Sequence, residues 1–175
     1  METAIVVAIP EVAPVVDAIR CVHTTAGADG IPAHVTLLYP FVDSDLLTPA
    51  LVESAAAAIE RFVPFDVSFG EFRYFDGSPS ILYLAPTPAE PFVEMTAALA
   101  VAFPAHPPYG GVHSEVTPHV TVAEGEREQL RAFERELSHG LPVDARVDEA
   151  RLFRRDAANR WQPRERLPLA GAAFR

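Results

Sequence analysis

Three observations in the sequence predict an α+β fold made of two related halves. The tripeptide His-Val-Thr occurs twice, at His34–Thr36 and His119–Thr121, 85 positions apart in a chain of 175 residues. Each copy stands in a short apolar run rich in β-branched residues, with a proline shortly upstream, Pro32 or Pro118. Such runs read as strands. Between them, strand-like alternation takes turns with helical periodicity, and the repeat suggests two lobes. No linker is long enough to part them, so one bilobal domain over residues 1–175 is expected.

In chain order, Thr3 to Ile9 forms a first strand, and after Pro10 a helix runs from about Glu11 to Thr24. Its apolar stripe is Val12, Val15, Val16 and Ile19. Residues Ala26 to Gly30 read as a loop feeding the first motif strand. Asp43 and Asp45 offer N-caps for a helix reaching about Val63, with Pro49 tolerated in its first turn. Phe65, Val67 and Phe69 alternate with Asp66 and Ser68 in a strand ending near Phe75. A turn at Asp76–Pro79 returns the chain as a hairpin partner, Ile81 to Ala85. A helix from about Pro91 to Phe103 and a Pro/Gly-rich segment, 104–117, precede the second motif strand. Glu126 to Ser138 is a charged amphipathic helix with Glu126 and Glu128 in its first turn, closed near Gly140. Val143 to Phe153 and Arg160 to Leu169 make a final strand pair.

Composition excludes several classes. With 49% hydrophobic residues, disorder is excluded. No apolar run approaches the ~18 residues of a membrane helix. Residues Met1 to Pro10 are apolar but open with an acid and lack a basic region, so they read as a strand and not a signal peptide. Cys21 is the single cysteine, which rules out an intrachain disulfide and makes a cytoplasmic location the expectation. It reads as a buried structural thiol. The net charge is −10 and all fourteen basic residues are arginine. A surface of that sign repels long nucleic acid. A small nucleotide or an RNA end is the expected partner, with no long duplex, no membrane and a monomeric state.

The paired motifs carry the chemistry. Side chains alternate across a strand, so His34 and Thr36 share one face while Val35 and Leu37 take the other; His119 and Thr121 behave alike. A lone strand histidine is ordinarily a packed one, but two copies in matching context call for a shared role. Cleaving a phosphodiester needs a base for the attacking hydroxyl and an acid for the leaving oxygen, and histidine serves both near neutrality. Threonine hydroxyls two residues on suit the non-bridging phosphoryl oxygens. Two other readings compete. In one, the histidines are metal ligands, which requires a third or fourth ligand that neither motif supplies. In the other, the chain is a non-catalytic module that binds a nucleotide or docks a partner, which would have no need of two acid/base groups.

Further candidates are weaker. Tyr39 and Phe41 suit either stacking on a base or core packing. Tyr109, in a loop, is a rim candidate. Arg73 and Tyr74 lie late in a strand within reach of a phosphate, or on the surface. His23, His106, His113 and His139 read as surface or structural groups. Arg154, Arg155 and Arg160 form either a solvated hairpin face or a contact to an RNA end.

The two motifs, with Tyr39-Pro-Phe41 after the first and Pro107-Pro-Tyr-Gly-Gly111 before the second, resemble those of the 2H phosphoesterases, in their 2′-5′ RNA ligase and 2′,3′-cyclic phosphodiesterase branch. The resemblance implies two mainly antiparallel sheets around a central cleft with helices outside. It implies His34 and His119 as an acid/base pair and Thr36 and Thr121 as phosphate ligands, with no metal and no cofactor. The implied activity is cleavage of 2′,3′-cyclic phosphates or 2′-5′ linkages, with ligation as its reverse. The chain departs from the family in one respect: Glu115 and Glu124 flank the second motif, where family members often carry basic residues. That departure sets it against a long RNA substrate.

Overall fold

The computed structural model describes residues 1–111 and 116–171. In chain order its elements are β1 (Thr3–Ala8), α1 (Ala13–His23), α2 (Thr25–Ala28), β2 (His34–Leu38), α3 (Pro49–Glu60), β3 (Phe65–Phe75), β4 (Ser80–Thr87), α4 (Glu90–Ala102), β5 (Val120–Gly125), α5 (Arg127–Leu137), β6 (Val143–Val147), β7 (Glu149–Arg155) and β8 (Trp161–Pro168). Two four-stranded antiparallel sheets result, in the orders β2-β1-β7-β8 and β5-β4-β3-β6. The expected α+β class holds.

The sheets correspond strand for strand. β2 and β5 are the edge strands carrying the motifs, and β1 and β4 stand beside them. A second repeat emerges from this match: Glu71-Phe72-Arg73-Tyr74-Phe75 on β3 is the counterpart of Glu149-Ala150-Arg151-Leu152-Phe153 on β7. In both, the arginine is bonded to the glutamate two residues earlier.

Helices tie the halves together. α1 packs on β5, and α4 packs on β2, so each half's helix covers the other half's motif strand. One apolar cluster accordingly runs through both sheets, with Val7 and Val35 in the first, Leu84 and Val120 in the second, and Val16 and Met95 from the two helices. Burial of these side chains drives the halves together.

Four local expectations need correction. The helix expected from Asp43 begins at Pro49, capped by Thr48, whose hydroxyl accepts from the Leu51 N–H at 3.4 Å. Asp43 is occupied elsewhere, accepting from the terminal ammonium of Met1 at 2.6 Å. The loop after Thr24 contains the single turn α2, because the Thr24 hydroxyl accepts from the Gly27 N–H at 2.9 Å. The strand expected over Val143 to Phe153 breaks at Asp148. Ala145 and Val147 are buried before the break and Ala150 and Leu152 after it, so alternation changes phase and the chain passes from the second sheet to the first. Cys21 is exposed, since Val16, Ile19 and Arg20 form the inward face of α1.

Candidate active site

Both motif strands lie at sheet edges, where one face packs on the core and the other is open. Val6 is paired with Thr36 and Ile5 with Leu38, which leaves Leu37 as an extra residue. In the second sheet Tyr83 is paired with Thr121 and Leu82 with Ala123, leaving Val122 extra. These matched bulges reset the alternation. Residues 34, 36 and 39 are therefore half-buried while 35, 37 and 38 are buried, and positions 119 to 124 repeat the pattern. Without the bulge, Tyr39 and Glu124 would face the core.

The open faces meet in a cleft of about 330 Å³ that contains His34, Thr36, His119 and Thr121 together. Tyr39 and Glu124 line it as well. The rest of the wall comes from Arg20 on α1, Asp29 beyond α2, Arg155 and Trp161, over a floor that includes Ala4 and Val6.

The two imidazoles are held identically. Nδ1 of His34 lies 2.7 Å from the Pro32 carbonyl, and Nδ1 of His119 lies 2.7 Å from the Thr117 carbonyl. A carbonyl only accepts, so each Nδ1 carries the proton and donates, and each neutral ring keeps the Nε2 lone pair for the cleft. Burial pushes the His34 pKa down to about 4, opposed by the bond to Pro32 and reinforced by the positive charge of Arg20 and, when that ring is protonated, of His119. Burial also lowers that of His119, with the Thr117 bond opposing. Both rings are thus neutral at pH 7 in the free protein.

Their surroundings differ. The His119 ring meets Phe75 and Tyr83 edge-on at 5.0 and 5.4 Å, and those two rings stack on each other at 4.2 Å. On the first-sheet side, Tyr39 meets Trp161 edge-on at 6.2 Å and its hydroxyl donates to Glu2 at 2.9 Å. Arg155 lies beside Trp161, bonded to Glu2 at 3.1 Å and to Asp29.

Other candidates fall outside the cleft. Arg73 does not line it; its guanidinium is exposed and bonded to Glu71 at 2.8 Å. Tyr74 donates to Glu134 beneath the Arg127 guanidinium, 3.7 Å from its ring. Phe41 is buried against Phe103 at 4.8 Å, which is the packing alternative. Arg160 donates to the Ala28 carbonyl at 2.8 Å. The side chain of Tyr109, and residues His113 and Glu115, lie outside the described residues. Among the described residues, no group of three or more His, Cys, Asp or Glu comes together as a metal site. No helix there is long and apolar enough to cross a membrane.

Sequence reasoning missed Arg20, Asp29 and Trp161. Arg20 had a signal: it follows Val12 and Val16 at helical spacing, so a charge stands where the apolar stripe continues. Asp29 and Trp161 had none, because only the pairing of β7 with β8 and the packing of α2 bring them together.

Two sheets whose edge strands present His-x-Thr pairs to one cleft define a 2H phosphoesterase. The chain belongs to the 2′-5′ RNA ligase superfamily, whose family model matches residues 9–159. Among solved structures, TT0787 of Thermus thermophilus is similar over 98% of this chain and 100% of its own, with 18% identity and a TM-score of 0.64. Escherichia coli LigT, in a structure complexed with 3′-AMP, is similar over 96% and 97%, with 15% identity and a TM-score of 0.62. At such identities the likeness is one of fold. No curated protein sequence matches the chain. Family membership assigns the protein to enzymes of the phosphoesterase/ligase type.

Proposed function

We propose that the protein is a metal-independent phosphodiesterase acting on 2′,3′-cyclic phosphates or 2′-5′ linkages of a nucleotide or RNA end. The observation that carries this reading is the matched pair of imidazoles, each tethered through Nδ1 and each offering Nε2 to the same cleft. One neutral ring takes the proton of the attacking hydroxyl or water. The other, protonated, delivers a proton to the departing ribose oxygen, and reversing the roles joins ends.

Both rings are depressed in the free protein, so the acid form needs help. A phosphodiester anion between them supplies it, since a negative charge favours imidazolium. The hydroxyls of Thr36 and Thr121 donate to the non-bridging oxygens as charge develops. The nucleoside lies over the first sheet, where Tyr39 and Trp161 offer aromatic surface for a base. A volume of about 330 Å³ suits a single nucleotide unit. The LigT structure, with 3′-AMP bound on a similar fold, is consistent with a ligand of that class.

Purified protein assayed with 2′,3′-cyclic nucleotides and 2′-5′ dinucleotides, with and without excess chelator, tests the reading. Turnover that persists in chelator is the expected result. Complete loss in chelator removes the metal-independent mechanism, and binding of nucleotides without turnover of any substrate reduces the protein to a binding module.

A further inference from the structure

Arg20 is the one charged side chain that is buried among the described residues, at 2% exposure. The end of its helix is locked in place. The Thr24 N–H and hydroxyl both donate to the Arg20 carbonyl, at 3.1 and 2.9 Å, and a Cβ on Gly27 would come within 2.5 Å of that oxygen. The guanidinium therefore meets the cleft from a pinned backbone.

Its charge has no hydrogen-bonded answer in the protein. Nη1 donates to the Ile31 carbonyl at 2.8 Å, and the nearest carboxylate oxygen, the buried Oδ1 of Asp17, stands 3.8 Å away, within ion-pair range but beyond a hydrogen bond. Among the described residues the guanidinium makes no other hydrogen bond. Holding one carbonyl does not require a buried cation, and burying one without a hydrogen-bonded counter-charge is costly. Arg155, the other arginine of the cleft, is in the opposite condition, neutralised by Glu2 and Asp29. Arg20 is thus the positive charge of the cleft to which no carboxylate is hydrogen-bonded. It also stands close enough to His34 to help hold that ring neutral.

We propose that Arg20 is a third phosphate-binding group, its free N–H donors receiving the non-bridging oxygens that lie between His34 and His119. A guanidinium suits this task because its planar fork matches a phosphoryl group and it stays charged at any working pH. The inference rests on the reading that a phosphate occupies the space between the histidines.

Titration calorimetry with inorganic phosphate and with a nucleoside 3′-monophosphate, on wild type, Arg20→Gln and Arg20→Lys, tests it. Glutamine keeps an N–H for the Ile31 carbonyl and drops the charge, whereas lysine keeps the charge and drops the fork. Phosphate affinity should fall by roughly 30-fold in Arg20→Gln and by about 3- to 10-fold in Arg20→Lys. The titration midpoint of His34, followed by NMR of its ring carbons, should rise in Arg20→Gln as the neighbouring charge is lost. Affinity within twofold of wild type in either folded variant overturns the assignment, as does wild-type protein that binds no phosphate. If Arg20→Gln does not fold, the lysine variant decides alone by the same criterion. Arg20-dependent phosphate binding with no phosphodiester turnover would leave this inference standing and remove the proposed reaction.

Discussion

Val6 and Tyr83 hold the same place in the two sheets, each the cross-strand partner of a motif threonine. Val6 has Ala4 beside it, and the cleft opens above them. Tyr83 stacks on Phe75 and fills the equivalent space, so the second sheet presses aromatic edges against His119. The residues beyond the two bulges differ as well: Tyr39 on one side, Glu124 on the other. The parts that chemistry needs in duplicate are symmetric, down to the Nδ1 tethers. The parts that line the rest of the cleft are not, and under the proposed function that asymmetry suits a nucleotide, whose phosphate is approached from both sides while its base lies to one side only.

Removing either member of the symmetric pair should have the largest effect. His34→Ala and His119→Ala should each lower kcat by about 10²–10⁴-fold on a 2′,3′-cyclic nucleotide with the fold retained by circular dichroism. Activity within a few-fold of wild type in either one would break the equivalence of the halves.

Next come the threonines. Thr36→Val and Thr121→Val should each reduce kcat/KM by an amount equivalent to roughly 2–4 kcal/mol, as for loss of one oxyanion donor. A large loss in one and none in the other would show that the phosphate sits on one sheet alone.

The asymmetric parts should respond differently from each other. Trp161→Ala should raise KM by roughly tenfold with little change in kcat, the effect of losing one stacking surface. Tyr83→Val, which copies the first sheet, should leave KM nearly unchanged and lower stability by roughly 2 kcal/mol through the cavity it opens. Chemical denaturation and steady-state kinetics on the two variants separate these outcomes.

The smallest effect concerns pH. The folded pKa of His34 is about 4 against an ordinary 6.5, so as pH falls the unfolded chain takes up the proton first. The contribution of this group to stability is present above pH 6.5, is lost between 6.5 and about 4, and changes no further below that. His34→Asn should therefore show a shallower loss of stability across that window in urea titrations. The acid limb of kcat/KM, which reports the free protein, should lie below the ordinary histidine value, with that of kcat displaced upward by bound phosphate.

Much of the candidate site was legible in the chain alone. His34, Thr36, His119 and Thr121 announce themselves because a repeat of the same triplet in the same strand context is a local signal. Tyr39 was visible as a candidate, but its arrival in the cleft depends on Leu37 bulging, which no propensity in His-Val-Thr-Leu-Leu reveals. Arg73 looked better placed than Arg155, and the structure reverses the order. What separates them is that β7 runs beside β1, bringing Arg155 to Glu2 and Asp29, whereas Arg73 turns back to Glu71.

Short-range order, then, was written in the chain itself: which segments are strands or helices, which face of a motif strand is polar, and that the motif comes twice. Even the break at Asp148 was there, as a change in the phase of alternation. The tertiary structure alone decided that the two edges face one cleft, that its second side is filled by Tyr83 and Phe75, and that Arg20 ends at its wall without a hydrogen-bonded carboxylate. Periodicity encodes what neighbours along a chain do. Proximity between residues more than a hundred positions apart is set by which apolar surfaces bury each other, and that depends on the whole packed core.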